Sequence, residues 1–326
     1  MKRTGEKHHP APTTSPLISV SPHSLIRPLL DWYALHRRDL PWRQAPDPYR
    51  VLVSEFMLQQ TQAERVAPRF TAFLDQFPSF AALAAATTAD VLRAWSGLGY
   101  NQRALRLQAI AREVMTQHGG DLPSGVASLQ QLPGIGQYTA AAIACFAFGA
   151  QVATVDTNIR RVLRRIIIGA EGSKALTPRA IWELAAQVLP AGRAGDWNQA
   201  LMDLGATICS VRSPACARCP VEAVCRYRQQ VREAGTADVA SLPAPARATA
   251  RFVGSTRYYR GRVLRVLTAL DPGQDLPLPT LGKQIKEDYA AYDAGWLEGI
   301  LDRLERDGLV ALERDATEIK ARLPEG

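Results

Sequence analysis

Residues 132–149 read LPGIGQYTAAAIACFAFG and decide the fold. Leu132 to Gly136 break one helical stretch and open a second helix of small and apolar residues. Gly134 and Gly136 let the backbone approach a phosphate closely and direct its N–H groups there, beside a positive helix end. A plain tight turn is the alternative that a lone Gly-x-Gly would favour. Since the whole hairpin is present, the stretch predicts a sequence-independent contact with a DNA backbone.

The helix after this hairpin, residues 137–148, is apolar on every side. A helix without a polar face is expected at the centre of a domain. Cys145 lies on this helix and is therefore predicted to fill the core.

Residues 155–168 follow downstream as VDTNIRRVLRRIII, with Asp156 directly before a predicted helix. Its apolar positions have helical spacing and are Ile159, Val162, Leu163, Ile166 and Ile167. The opposite face is predicted to carry four arginines, namely Arg160, Arg161, Arg164 and Arg165. Two interpretations remain open here. Asp156 is a catalytic carboxylate beside a basic face near the DNA backbone, or it is an ordinary N-cap followed by solvated arginines.

Upstream of the hairpin, residues 54–66 read SEFMLQQTQAERV. Helical spacing predicts an apolar stripe of Val53, Phe56 and Met57, and it places Glu55, Gln59 and Gln62 together on another face. Burial on an otherwise apolar helix would raise the pKa of the Glu55 carboxyl, which could then act as a general acid. A partly exposed helix with ordinary polar positions is the alternative.

Four of the five cysteines lie within 17 residues, at Cys209, Cys216, Cys219 and Cys225. In a reducing compartment such a cluster indicates a metal site rather than disulfides. Four thiolates satisfy tetrahedral zinc or a cubane iron–sulfur cluster. Structural zinc sites usually show two C-x2-C pairs, whereas this loop has one, so the spacing favours iron–sulfur. Four unrelated buried cysteines are the remaining alternative.

Helical periodicity with short Pro- or Gly-bearing breaks predicts an all-α domain over residues 25–228. Residues 1–24 are rich in Pro, Ser, Thr and His and are predicted to be a disordered tail, and residues 229–250 a linker. Residues 251–326 show three helical segments and a hairpin-like end, which predict a small winged-helix-like α+β unit.

The chain has 326 residues, 47% of them hydrophobic, and a formal net charge of +8. This length and apolar content allow two or three compact units. The positive charge attracts polyanions, with nucleic acid as the leading candidate, although many basic enzymes bind none. No run of about 18 apolar residues and no secretory signal are evident, so we expect a cytoplasmic protein, nucleoid-associated if bacterial. A monomer is the default expectation.

Together these motifs, in this order along the chain, resemble the endonuclease III superfamily of DNA glycosylases. The similarity to its MutY-type adenine glycosylases covers about Leu25 to Arg228 and includes the strings LPWR (40–43), SEFMLQQTQ (54–62) and GLGY (97–100). The resemblance implies a two-part helix-hairpin-helix domain, a six-helix barrel part and a part that holds a [4Fe–4S] cluster. It also implies that adenine is rotated out of the duplex into a pocket between these parts, since the glycosidic bond is unreachable in a stacked helix.

The same resemblance assigns roles to individual residues. Glu55 matches the general acid that protonates adenine at N7, and Asp156 matches the carboxylate that stabilises an oxocarbenium-like sugar. Tyr138 stands where bifunctional relatives carry a Schiff-base lysine, which implies base removal without strand cleavage. The remaining matches are supporting or DNA-contacting positions: Asn158 beside Asp156, Gln199 at the adenine edge, Gln59 and Tyr100 inserted into the duplex, and Trp42 and Arg38 in the pocket.

The sequence departs from the family in its C-terminal part. Many members carry a long C-terminal domain that recognises 8-oxoguanine, whereas residues 251–326 are too few and too helical to resemble it. Three alternatives to adenine excision remain at this point. They are a thymine glycosylase acting on T opposite G, an endonuclease III-like lyase, which Tyr138 disfavours, and a non-catalytic iron–sulfur DNA-binding protein.

Overall fold

The computed structural model describes residues 22–45, 47–169, 177–233, 252–315 and 318–325. Most of the predicted tail and of the predicted linker therefore lies outside the described residues. The chain divides into two compact units, and both are discontinuous in sequence. Among the described residues no helix is long and apolar enough to span a membrane.

The first unit contains residues 22–38 and 151–233 of the described chain. Its helices are α1 (Pro22–His36), α10 (Thr157–Leu163), α11 (Pro178–Gln187), α12 (Ala194–Thr207) and α13 (Arg226–Glu233). Helix α10 continues as a π-helical turn, Arg164–Ile168. Two 3-10 turns, Cys216–Arg218 and Glu222–Val224, shape the cysteine loop between α12 and α13. Helix α13 ends at Glu233, five residues beyond the boundary predicted at Arg228.

One hydrophobic core holds the first unit together. Its members come from α1, α10, α11, α12 and the cysteine loop, and the five predicted apolar positions of α10 and its π-helical turn are all among them. Helix α12 packs against both α1 and α10. Trp197 of α12 is 1% exposed within this core. The predicted apolar face of residues 159–167 is therefore confirmed.

The second unit contains residues 39–150 and the C-terminal residues from 252 on. Its first helices are α2 (Pro41–Gln44), α3 (Pro48–Leu58), α4 (Ala63–Gln76), α5 (Phe80–Ala85), α6 (Thr88–Ala94), α7 (Gln102–Gln117), α8 (Val126–Leu129) and α9 (Gln137–Phe148). Helix α3 packs against α4, α7 and α9. Residues 139–145 of α9 are all buried, which confirms a central helix with Cys145 as part of the core.

The C-terminal part of the second unit contains α14 (Thr256–Thr268), α15 (Leu278–Ile285), α16 (Ala294–Arg306) and three short strands. The strands are β1 (Leu276–Pro277), β2 (Ala311–Arg314) and β3 (Ile319–Arg322), in the antiparallel order β1-β3-β2. The predicted hairpin is β2–β3, in which Leu312 pairs with Ala321. The third strand, β1, was not predicted because two residues carry no alternating pattern. A winged-helix-like α+β arrangement is confirmed.

Candidate active site and cysteine loop

Helix α3 carries Glu55 into the interior of the second unit. The helix begins at Pro48 after Asp47, whose carboxylate accepts the Arg50 N–H at 3.0 Å. Tyr49 and residues 51–57 of this helix are buried, and Glu55 is 7% exposed among them. Carboxyls that serve as general acids stand in positions shielded from water in this way. A proton donor is therefore chemically consistent with this position.

The predicted polar face of Glu55, Gln59 and Gln62 is wrong. Helix α3 ends at Leu58, Gln60 adopts a left-handed backbone with φ +58°, and Gln62 precedes the separate helix α4. The three side chains therefore do not share one helical face. Helical spacing could not reveal this break, because no proline or glycine marks it and its cause lies elsewhere in the unit.

That cause is Arg103 of α7, a residue that the motifs did not single out. Its guanidinium is 5% exposed and donates to carbonyls at the end of α3 and before α7. The acceptors are the carbonyls of Phe56 (2.8 Å), Met57 (3.0 Å), Gln59 (2.5 Å), Leu98 (3.4 Å) and Gly99 (2.9 Å), and Thr61 Oγ1 (3.2 Å). Burial lowers the pKa of Arg103 to about 10, so it remains a cation at neutral pH.

Arg103 thereby joins the two segments that carry Gln59 and Tyr100. Tyr100 is a second non-glycine residue with a left-handed backbone, φ +49°, and its side chain is 40% exposed. Left-handed backbone at a bulky residue persists only where the surroundings enforce it, and such positions concentrate at functional sites. The structure places both predicted duplex-inserting residues on segments held by one buried guanidinium.

The Leu132–Gly136 hairpin connects α8 and α9, as predicted. Leu132 is 2% exposed, so its side chain packs into the interior and is not presented to another molecule. Gly134 has φ +79°, and a Cβ there would lie 2.7 Å from Arg106 Cδ. Gly136 caps α9 in an extended conformation and is exposed. Tyr138, half-buried, is the second residue of α9. The glycines leave the positive end of α9 open to solvent, as an anion site requires.

Asp156 caps α10 and belongs to the first unit. Its Oδ1 accepts the Ile159 N–H at 2.6 Å, and its Oδ2 accepts Asn158 Nδ2 at 3.1 Å. Burial raises the pKa of Asp156 above its usual range, and these donors oppose the shift only in part. Both interpretations of this residue thus have a structural basis: it is an N-cap, and it is also a carboxylate in a desolvated place.

Arg161 connects Asn158 to the cysteine loop. Its Nη2 donates to Asn158 Oδ1 at 2.8 Å and to the Gly205 carbonyl at 2.7 Å, and its Nε donates to the Cys209 carbonyl at 2.8 Å. Asn158 is thereby held with its amide N–H toward Asp156. A chain of hydrogen bonds therefore runs from the backbone of one cysteine to the carboxylate.

The predicted common face of four arginines is wrong, whereas their contact with a DNA backbone stays a prediction. Arg160 is exposed, but Arg161 and Arg165 are half-buried and donate inward. Arg165 donates to the carbonyls of Ser210 (2.6 Å) and Val211 (2.9 Å) in the cysteine loop. Unpaired loop carbonyls attract these donors, and the π-helical turn at Arg164–Ile168 changes the direction of the following side chains. Helical spacing alone does not contain either effect.

Helix α12 presents Gln199 beside Tyr33 of α1. The Tyr33 hydroxyl donates to Gln199 Oε1 at 2.6 Å, so Tyr33 contacts the oxygen of the Gln199 amide. Arg38 instead pairs with the fully buried Asp203, with Nε 2.7 Å from Oδ1. Trp42 is 8% exposed and packs edge-on against Phe70. Arg38 and Trp42 thus have clear packing roles, whereas their predicted pocket role stays a prediction.

The four clustered cysteines line one small cavity in the first unit. Arg165, Tyr227 and Arg228 also line it. Desolvation raises the pKa of Cys219 to about 12 and that of Cys225 to about 11, and the neighbouring thiolates add to each shift. Four thiolates cannot form together here without a cationic partner.

In the described part of the chain, no three His, Cys, Asp or Glu side chains are close enough to hold a single metal ion. The donor set that lines the cavity is nevertheless four thiols, as both a tetrahedral metal ion and a cubane cluster require.

The sequence and the fold of this chain were compared with those of known proteins. Residues 53–187 match the family described as HhH-GPD superfamily base excision DNA repair protein. An adenine DNA glycosylase of Mycolicibacterium smegmatis is 42% identical over 299 residues, which cover 91% of this chain and 95% of that protein. The human adenine DNA glycosylase is 46% identical over 215 residues, and the match spans 63% of this chain but 39% of the human protein. A solved thermostable thymine-DNA glycosylase is 34% identical, with a TM-score of 0.60, and the alignment covers 64% of this chain and 97% of that one.

The fold and the hairpin place the chain in the HhH-GPD superfamily of base excision DNA repair proteins. The mycobacterial adenine DNA glycosylase is similar to it over nearly its full length, so the chain belongs to the adenine DNA glycosylase family within that superfamily.

Proposed function

We propose that this protein is a monofunctional DNA glycosylase that removes adenine opposite 8-oxoguanine or guanine in base excision repair. The observation that carries the proposal is the presence of two carboxyls in sheltered positions. Glu55 is 7% exposed on α3, and Asp156 accepts hydrogen bonds from the Ile159 N–H and from Asn158 at the start of α10. Acid-assisted cleavage of a glycosidic bond requires two such carboxyls, one as the proton donor and one as a carboxylate whose hydrogen bonds support its charge.

Each carboxyl performs one part of the hydrolysis. Glu55 donates its proton to N7 of adenine, so that the base leaves as a neutral molecule and the C1′–N9 electron pair goes to the base. Ionised Asp156 stabilises the positive charge that develops on the sugar. Water then adds at C1′ and gives up one proton to the Glu55 carboxylate, which restores the acid. Asn158 orients Asp156 and, through Arg161, is itself held to the cysteine loop.

Tyr138 determines what happens after base removal. A phenol cannot form an imine with the sugar aldehyde, so no Schiff-base intermediate precedes β-elimination. The product is therefore an abasic site in an intact strand.

The four cysteines of the loop hold a [4Fe–4S] cluster in this proposal. When bound, the cluster supplies positive charge to four thiolates and ties the loop to the core of the first unit. Cys209 and Cys216 lie before the second turn of the loop, and Cys219 and Cys225 frame it. Support comes from the cavity that all four cysteines line.

The partner is double-stranded DNA, and the protein works as a monomer in the cytoplasm, at the nucleoid if the source is bacterial. The formal net charge of +8 and the exposed hairpin glycines support a phosphate contact without base specificity.

A thymine glycosylase acting on T opposite G is the second candidate. It is supported by the thymine-DNA glycosylase structure, which is 34% identical over nearly its whole length. The two activities share a hairpin and hydrolytic chemistry and differ in the base that enters the pocket.

Single-turnover cleavage separates the candidates. Duplexes carry A opposite 8-oxoguanine, A opposite G, A opposite C or T opposite G, each analysed with and without alkali. We expect adenine release opposite 8-oxoguanine and strand breaks only after alkali. Glu55→Gln should lose turnover, while Glu64→Gln, an exposed carboxyl on α4, should retain it. Thymine release without adenine release would reject the proposal in favour of the second candidate.

A further inference from the structure

The ring of Tyr100 is contacted by two arginines from different parts of the second unit. The Arg103 Cζ lies 5.6 Å from the ring centroid, and the Arg257 Cζ lies 4.3 Å from it. Arg103 also holds the backbone of the Tyr100 segment. Arg257, however, belongs to α14 in the C-terminal part, far away in sequence. This shorter contact is compatible with stacking of a planar guanidinium on the ring.

Other contacts join the C-terminal part to the chain around Tyr100. Helix α14 packs against α6, and the hydroxyls of Ser96 and Thr268 are 3.5 Å apart. Gln102 Nε2 donates to the Asp307 carbonyl just after α16. These contacts lie on either side of Tyr100 in sequence. The position of Arg257 over the ring is therefore supported by its surroundings rather than by one flexible side chain.

The chemistry of this arrangement favours recognition of a base. Arg257 is exposed, and Tyr100 is 40% exposed on a left-handed backbone. A guanidinium that stacks through its face keeps its N–H groups free in its own plane. Guanine offers O6 and N7 as acceptors to such donors, and 8-oxoguanine, whose N7 carries a proton, offers O6 and O8 on either side of that N–H. Cytosine lacks this purine edge.

We propose that Arg257 reads the base opposite the excised adenine, using Tyr100 as its stacking support. The C-terminal winged-helix-like part thereby contributes one specificity-determining side chain to a lesion contact made by the helical part. This inference rests on the proposed function, because it assumes a duplex with adenine opposite a guanine-type base. It assigns a role in opposite-base recognition to a part of the chain that is too short for the usual recognition domain.

The test compares Arg257→Ala and Arg257→Lys with Arg265→Ala. Arg265 is an exposed arginine two turns further along α14, so its removal changes the net charge equally. Single-turnover adenine excision is measured opposite 8-oxoguanine, guanine and cytosine, with thermal denaturation of every variant. We expect Arg257→Ala to lower excision opposite both guanine-type bases about tenfold relative to cytosine, the loss of one good base contact. Arg257→Lys should show the same loss as Arg257→Ala, because an ammonium group has no planar face to stack on the ring and cannot donate two parallel hydrogen bonds.

Arg265→Ala should leave the ratios between duplexes unchanged. An equal loss on all three duplexes for Arg257→Ala would overturn the inference and make the residue a phosphate contact or a packing residue. Unchanged ratios with unchanged rates would overturn it as well. In both cases wild-type adenine excision would leave the proposed function standing, whereas a wild-type protein inactive on every duplex would overturn both.

Discussion

Asp156 combines a structural and a chemical role in one carboxyl. As the N-cap of α10 it accepts the Ile159 N–H, and asparagine accepts that hydrogen bond equally well. Asp156→Asn therefore keeps the helix start but removes the negative charge. We expect excision to fall about 10²- to 10³-fold, as for loss of an electrostatic stabiliser. Asp196→Asn, which neutralises an exposed aspartate of α12, is the control and should retain activity.

The raised pKa of Asp156 also sets the pH dependence of stability. The folded protein binds this proton more tightly than the unfolded chain, so this group lowers stability as pH rises through the raised value. Asp156→Asn removes this titration but also leaves Asn158 without its acceptor, a loss that does not depend on pH. The stability of wild type relative to this variant should therefore increase as pH falls from neutral to about pH 4, where the unfolded carboxyl is also protonated. Thermal denaturation against pH measures this, and a difference that does not change with pH would contradict it.

Arg103 is a positioning residue whose role depends on its shape. Lysine preserves the charge but cannot reach carbonyls on both segments, so several buried acceptors lose their donor. Arg103→Lys should lower the free energy of unfolding by roughly 2–4 kcal/mol. Hydrogen exchange should also become faster around residues 57–61 and 98–101, and excision should fall with them. Arg112→Lys, on the exposed side of the same helix, should show neither effect.

At the scale of elements, the crossing of α10 and α12 depends on Gly205. A Cβ at this position would lie 2.6 Å from Asn158 Cβ and 3.2 Å from Asn158 Cα, and backbone cannot yield as a side chain end can. Gly205→Ala should therefore push α10 away and displace Asn158 from Asp156. We expect a loss of 1–3 kcal/mol, about the usual cost of overpacking, together with a reduced excision rate.

A matched control lies on the same helix. Gly195 is also in α12, but a Cβ there would meet no atom within 4 Å. Gly195→Ala should leave the protein as stable as before or stabilise it by up to about 1 kcal/mol, since alanine favours helix. Urea denaturation of both variants measures the difference. Equal effects would show that α10 and α12 are not in close contact at Gly205.

At the scale of the whole molecule, the cysteine loop connects a metal site to the fold. The loop closes the core of the first unit through Val221 and Cys225, and Tyr227 of α13 follows them into the same core. Cys219→Ser should reduce iron binding from four atoms per chain and destabilise this unit, because binding free energy of a structural metal is also folding free energy. Cys145→Ala, at the one cysteine outside the loop, should retain the iron. Metal analysis of the purified wild type and both variants tests this prediction. One zinc per chain instead of iron in the wild type would contradict the cluster.

The sequence by itself determined the features that depend on local physics. The period of apolar residues predicted the all-α architecture and the buried face of residues 159–167, because a helix repeats its pattern within a few residues. The composition of residues 137–148 likewise predicted a central helix. Asp156 as an N-cap, the hairpin glycines and the spacing of the cysteines were also visible, since each concerns neighbours along the chain.

Only the tertiary structure decided which distant groups meet. The end of α3 is enforced by Arg103, the direction of Arg161 by carbonyls in the cysteine loop, and the neighbour of Tyr100 by Arg257 in α14. A guanidinium on a long side chain can donate to many different acceptors. Neither the charge of the residue nor its helical spacing in the sequence indicates which acceptors it will contact. The physical reason is that unpaired backbone carbonyls and exposed rings compete for these donors only once the helices have packed.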